Sequence, residues 1–159
     1  MKIYLLTHER ELHRATNTGS LALEFSNEIV ERIVWERVNP DIKITQLIEN
    51  NEAVLLYSKQ ESSPAESQVK QLPKIEDFEN IIIIDSTWQE AKKIFKQSPY
   101  LKKAPQFALK MVNDSLYKLR ANQPKGGLCT IECIIEVLRL KGEYQIASEL
   151  SVKFEQFNH

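Results

Sequence analysis

Four short runs of β-branched and aromatic residues recur along the chain, and helix-patterned segments separate them. They are Ile3–Leu6, Ile29–Trp35, Ala53–Tyr57 and Ile81–Ile84. Short runs rich in β-branched and aromatic residues read as buried strands. Buried strands alternating with helices imply a parallel sheet with right-handed crossovers, an α/β domain with helices flanking the sheet. Between the runs, Leu21–Phe25 reads as a short helix. The segment from Pro40 to Asn50 reads as another, with Pro and Asp suited to its first turn. The polar stretch Glu61–Leu72 reads as loop plus helix. After Asp85, Thr87–Gln97 places Trp88, Ala91, Ile94 and Phe95 on one face, and Pro99 is expected to close that helix. Gln106–Met111 is a predicted fifth strand. Leu128–Leu140 carries Ile131, Ile134, Ile135 and Leu138 at helical spacing, Gly142 suits its C-terminal cap, and a last helix is predicted from Glu143 to about Phe154.

At 159 residues, with 42% hydrophobic and 27% charged residues and only 4 Gly and 6 Pro, the chain has the composition of one globular domain, 1–159. A domain of this length buries roughly 70% of its unfolded surface and needs no disulfide or metal to hold a core. No apolar run approaches the roughly 20 residues of a spanning helix. The opening MKIYLLTHERELHR turns charged after six residues and reads as a strand, not a leader. Cys129 and Cys133 sit four apart, on one helix face, and suit a reducing cytoplasm better than a disulfide framework.

The formal charge of −1 conceals an asymmetry. Residues 91–125 hold eight lysines, one arginine and a single acid, Asp114, a net of +8 that leaves −9 elsewhere. A solvated lysine face and a footprint for a polyanion both fit this pattern. Arg14, Arg120, Lys125, Lys92, Lys93, Lys102 and Lys103 are the candidate contacts to the phosphates of such a polyanion, and contacts of this kind weaken steeply with salt.

Three clusters carry candidate chemistry. Asp85 ends the isoleucine run with a helix opening behind it, where open α/β sheets bind ligands. Ser86 with Gln89, and Thr87 with Glu90, also have capping-box spacing. His8 to Gly19 follows the first strand and ends in Asn17-Thr18-Gly19, either a binding loop for a polar or anionic group or a plain strand-to-helix turn. Its two histidines, five apart and without a third ligand, do not suggest a metal site. Arg120 to Glu132 combines basic residues, a Pro-Lys-Gly-Gly turn and a helix start. This is an anion-binding arrangement without P-loop spacing, in which Cys129 is a conceivable nucleophile and Glu132 complements the helix dipole.

Taken in order, the three clusters resemble the DTW-domain family, which is related to the SPOUT class of S-adenosylmethionine enzymes. The matching signatures are Thr7 to Gly19 with its Asn-Thr-Gly ending; Asp85-Ser86-Thr87-Trp88 continuing to Glu90-Ala91 and Ser98–Leu101; and Arg120, Pro124, Cys129, Thr130 and Glu132. The resemblance spans Met1 to about Leu140. It implies a SPOUT-like fold with a C-terminal trefoil knot. It also implies transfer of the 3-amino-3-carboxypropyl group of S-adenosylmethionine to N3 of a tRNA uridine, with methylthioadenosine released. Asn17, Thr18 and Gly19 would then hold the polar end of the donor's arm, and Thr87 and Trp88 would wall the donor. Asp85, Leu109, Leu128 and Thr130 would frame its loops. Asp85 would either remove the uracil N3 proton or orient the donor's amino group, and with Thr87 and Trp88 it forms the implied catalytic set. The cysteine cluster that many relatives carry near the N-terminus has no counterpart before the first strand, so no metal is expected. A methyltransferase of SPOUT type, an aminocarboxypropyltransferase acting on ribosomal RNA, a non-catalytic RNA-binding module and a generic nucleotide-binding domain are the competing readings. A monomer and a homodimer both fit.

Overall fold

The computed structural model describes residues 1–25, 28–57, 74–108 and 129–158. Within them the strands are β1 (Lys2–Thr7), β2 (Val30–Val34), β3 (Ala53–Leu56), β4 (Asn80–Asp85) and β5 (Gln106–Phe107). The helices are α1 (Gly19–Phe25), α2 (Ile42–Glu49), α3 (Trp88–Lys96), α4 (Pro99–Lys102), α5 (Thr130–Leu140) and α6 (Tyr144–Phe157). All the strand pairs are parallel, and the order across the sheet is β2-β1-β4-β3-β5. The four apolar runs are β1 to β4. The α/β expectation therefore holds, with a five-stranded parallel sheet between helices.

Strand alternation sorts the core into two layers. Ile3, Leu5, Val30, Val54, Ile81 and Ile83 point to one face and pack against α1, α5 and α6 through Ala22, Ile131, Ile134, Leu138, Leu150 and Phe154. Tyr4, Leu6, Ala53, Leu55 and Ile82 point to the other and meet Ile44 and Ile48 of α2, Ile94 and Phe95 of α3 and Leu101 of α4. Burying each large side chain contributes about 1.5–3 kcal/mol, so both layers stabilise the sheet.

Local signals account for most helix ends. Asp41 caps α2 by accepting from the Ile44 N–H at 3.1 Å, and Gly142 sits at φ +83°, where its backbone turns away from α5. Pro99 does not merely close α3. It begins α4 at a position where its missing N–H costs nothing. The predicted fifth strand is described only over Gln106–Phe107, and its expected continuation to Met111 falls outside the described residues. So do the segment 61–72 and the connection from β5 to α5, on which the expected trefoil knot depends.

Candidate active site at the reversal point of the sheet

From β1 the chain moves outward to β2, whereas from β4 it moves the opposite way to β5. β1 and β4 are neighbours, so a crevice opens beyond their carboxyl ends, where open α/β sheets bind ligands. Register places Thr7 beside Asp85 and Leu5 beside Arg32. By alternation Thr7, Arg32 and Asp85 all face the α1/α5 layer.

Asp85 is 1% exposed and takes four donors. Its Oδ1 accepts from Asn17 Nδ2 at 3.0 Å and Thr130 Oγ1 at 2.8 Å. Its Oδ2 accepts from Thr7 Oγ1 at 3.0 Å and from Arg32 at 3.3 Å. A carboxylate offers about four lone-pair directions, and here protein donors fill that number. The loop before α1 closes the site further. Asn17 Oδ1 accepts from Arg32 and from the Ser20 N–H, and Thr18 Oγ1 accepts from the Ile131 N–H at 3.1 Å, satisfying an otherwise orphaned donor in the first turn of α5. Gly19 is required by contact. A Cβ there would lie 2.8 Å from Asp85 Oδ2 and 3.1 Å from its Cγ.

The structure thus brings Asn17, Thr18, Gly19, Asp85 and Thr130 into one cluster, with their polar atoms spent largely on one another. Thr87 sits at the start of α3, where its Oγ1 accepts from the Glu90 N–H at 3.2 Å. Ser86 donates instead to the Thr87 carbonyl, so only the second of the two spaced capping pairs caps. Trp88 opens α3, and its side chain lies outside the described part, as do Leu109, Leu128, Arg120 and Lys125. Lys92, Lys93, Lys102 and Lys103 are exposed on α3, α4 and the turn after α4. Arg14 is turned inward to Glu90 at 3.1 Å and Glu11 at 3.7 Å.

On the other face of the sheet, immediately past β1 and β2, lie His8 and Trp35. Their rings stack with centroids 5.8 Å apart and planes 24° from parallel. The Trp35 indole N–H donates to buried Ser98 at 2.8 Å. His8 Nδ1 accepts the Arg10 N–H at 3.0 Å, which places the proton of a neutral ring on Nε2. The Glu90 carboxylate approaches His8 Nδ1 at 3.8 Å, too far for a hydrogen bond. Glu90 does not complete a reciprocal capping box. One oxygen binds Arg14, and the buried Oε2 has no hydrogen-bond partner among the described residues.

Arg32 and Trp35 escaped the sequence reading because both sit in a run read only as strand. A charge inside an otherwise apolar run, Val30-Glu31-Arg32-Ile33, was the available signal for Arg32. Cys129 is no nucleophile in this setting. Burial first, then the charge of Glu132, pushes its thiol far above its ordinary 9.0, and Glu132 accepts from its backbone N–H at 3.0 Å. Burial likewise pushes Cys133 up to about 12. Both cysteines are free. Among the described residues no helix is long and apolar enough to cross a membrane, and no group of three or more His, Cys, Asp or Glu side chains is arranged to hold a metal.

A parallel α/β domain whose polar residues converge where the strand order reverses belongs, by fold and site, with proteins that bind ligands at the carboxyl edge of the sheet. The DTW-domain model matches residues 1–159, and the chain belongs to the DTW-domain family. It is 28% identical over 143 residues to tRNA-uridine aminocarboxypropyltransferase 2 of Drosophila melanogaster, an overlap covering 86% of this chain and 55% of that protein. The chain therefore matches about half the length of that relative. No solved structure matches it.

Proposed function

We propose that the protein transfers the 3-amino-3-carboxypropyl group of S-adenosylmethionine to N3 of a uridine in tRNA. The bond formed joins N3 to the methylene carbon of the arm. The bond broken is that carbon's bond to sulfur, whose electron pair stays with methylthioadenosine, while N3 gives up its proton. Family membership and the similarity to a tRNA-uridine aminocarboxypropyltransferase support this reading. The observation that carries it is the convergence of the three motif segments on one carboxylate: Asn17 from the first, Asp85 from the second and Thr130 from the third are bonded directly.

The cluster fits a donor by shaping its pocket. With four protein donors on Asp85, neither the uracil proton nor the donor's amino group finds a free lone pair there. We assign Asp85 a positioning role: it fixes the start of α5 against the loop at Asn17–Gly19 and so sets the wall of the donor site. Choosing the arm over the methyl group is then a matter of geometry, since the leaving sulfur is the same in both transfers. Thr87, Trp88, Leu109, Leu128 and Thr130 complete the donor pocket in this reading, no metal takes part, and the SPOUT-like fold with its trefoil knot belongs to the same proposal. So does a cytoplasmic setting, which suits two unpaired thiols.

The basic residues of α3 and α4, with Arg120 and Lys125, serve as phosphate contacts. Raising the salt concentration should weaken tRNA binding steeply, and a flat response would remove this basic face from the account. The decisive experiment is mass spectrometry of tRNA incubated with the protein and S-adenosylmethionine labelled in the aminocarboxypropyl arm. Label in uridine with methylthioadenosine as by-product is expected. S-adenosylhomocysteine as by-product would make the protein a methyltransferase, and binding without turnover would make it an RNA-binding module.

A further inference from the structure

Beyond β1 and β2 lies an open cleft of about 390 Å³, within the roughly 300–1,000 Å³ range of small-molecule sites. His8 and Trp35 form its aromatic wall, and Glu9, Glu36, Arg37 and Asn39 its rim. This cleft opens past the other face of the sheet but at the same carboxyl edge as the Asp85 cluster, since the His8 N–H donates to the Asp85 carbonyl at 3.4 Å, and no motif of the sequence reading includes Trp35 or Arg37.

We propose that the cleft is the acceptor subsite, receiving one unpaired pyrimidine nucleotide of the RNA with its ring against the His8–Trp35 pair and its phosphate near Arg37. The inference rests on the transferase reading above. Four observations carry it. The aromatic wall is held rigid, since the indole is hydrogen-bonded to Ser98 and the imidazole is fixed by the Arg10 N–H. A preset ring face is what base stacking requires. Arg37 is exposed and forms no ion pair among the described residues, leaving its guanidinium for an anion. Glu90 of α3 backs the imidazole from inside the protein, its buried Oε2 lying 3.8 Å from His8 Nδ1. Finally, α3 and α4, which carry the exposed lysines, pack on this same face of the sheet. RNA laid across them would present a splayed base to the cleft.

The test combines a crosslink with a kinetic split on the full chain. Single-stranded RNA carrying 4-thiouridine at the target position is irradiated with the protein, and the modified peptides are mapped. Adducts in residues 8–9 or 35–39 are expected, and adducts confined to other segments would overturn the proposal. Trp35→Ala should weaken RNA binding roughly five- to a hundredfold, the worth of one stacked base. Ser98→Ala, which removes the same indole hydrogen bond but keeps the ring, should lose markedly less RNA binding than Trp35→Ala. Equal losses in the two variants would mean a structural role only, and the subsite would fall. Arg37→Gln should raise KM for RNA and lower the salt slope by about one, with KM for S-adenosylmethionine unchanged. A rise in the donor's KM instead would reassign the cleft to the donor. The crosslink needs no turnover, so a protein that fails to transfer the arm yet crosslinks here loses the reaction and keeps the subsite. One that transfers normally with unaltered variants loses the subsite alone.

Discussion

The two faces of the sheet end in unlike polar clusters. On the α1/α5 side, Asp85 is sealed and receives four protein hydrogen bonds. On the α2/α3/α4 side, Glu90 keeps one buried oxygen unbonded, and the His8–Trp35 wall beside it opens to solvent through a cleft. Saturation makes a carboxylate a structural clamp, because each donor that binds it loses a partner if it is removed. A buried carboxylate oxygen without a donor forms no such clamp and is poor for stability. The difference teaches that the residue with which the Asp85-Ser86-Thr87-Trp88 motif begins is bonded so as to hold its cluster together, while the open cleft lies past the opposite face.

Asp85→Ala should break this contrast most severely. It leaves the Arg32 guanidinium, only 18% exposed, without its carboxylate partner and the Asn17 amide N–H without its acceptor, and a loss of about 3–5 kcal/mol is expected in urea denaturation. Asp85→Asn, which keeps the shape, should cost less stability and still lower turnover at saturating donor. Near-parental turnover in either variant would remove Asp85 from the account of activity. Gly19→Ala comes next, because a methyl group 2.8 Å from Asp85 Oδ2 forces a shift of a well-anchored side chain. A destabilisation of about 1–3 kcal/mol is expected, and a thermal melt unchanged from the parent would show the clamp to be looser than described.

The thiols of α5 sharpen the comparison through pH. Cys129 and Cys133 have folded values raised above the ordinary 9.0, so the stability they contribute is full below that value. It is lost as the pH climbs from about 9 towards the raised folded values, because the unfolded chain releases those protons first. Denaturation at pH 7 and pH 10 should show a decline to which the two thiols contribute about 3 kcal/mol, a share that Cys129→Ala and Cys133→Ala together remove. Both thiols should also resist alkylation at pH 8 in the folded protein. The smallest effect is expected at Glu90→Gln. Its hydrogen-bonded ion pair is to Arg14, which is 36% exposed, and its other oxygen makes only the 3.8 Å approach to His8, so stability should change by less than about 1 kcal/mol. A penalty as large as that at Asp85 would erase the distinction between the two clusters.

Much of this was legible in the sequence. The four apolar runs became β1 to β4, and the helical spacing of Ile131, Ile134, Ile135 and Leu138 became the buried face of α5. Thr87 and Gly142 were readable as punctuation because capping and positive φ are local matters of a few residues. Asn17, Asp85 and Thr130 were readable as candidates from their motifs. Their mutual bonding was not, since they are separated by up to 113 positions and meet only through strand order.

The sequence by itself determined the class of fold, the helix ends and the identity of the motif segments, because periodicity and capping depend on near neighbours along the chain. Tertiary structure alone decided that Arg32 joins Asp85, that Glu90 turns from capping to Arg14, and that His8 stacks on Trp35. Those outcomes follow from which strands lie side by side and in which register. A pleated strand sends alternate side chains to opposite faces, so the assignment of each polar group to the sealed or the open cluster is fixed only when the sheet is assembled.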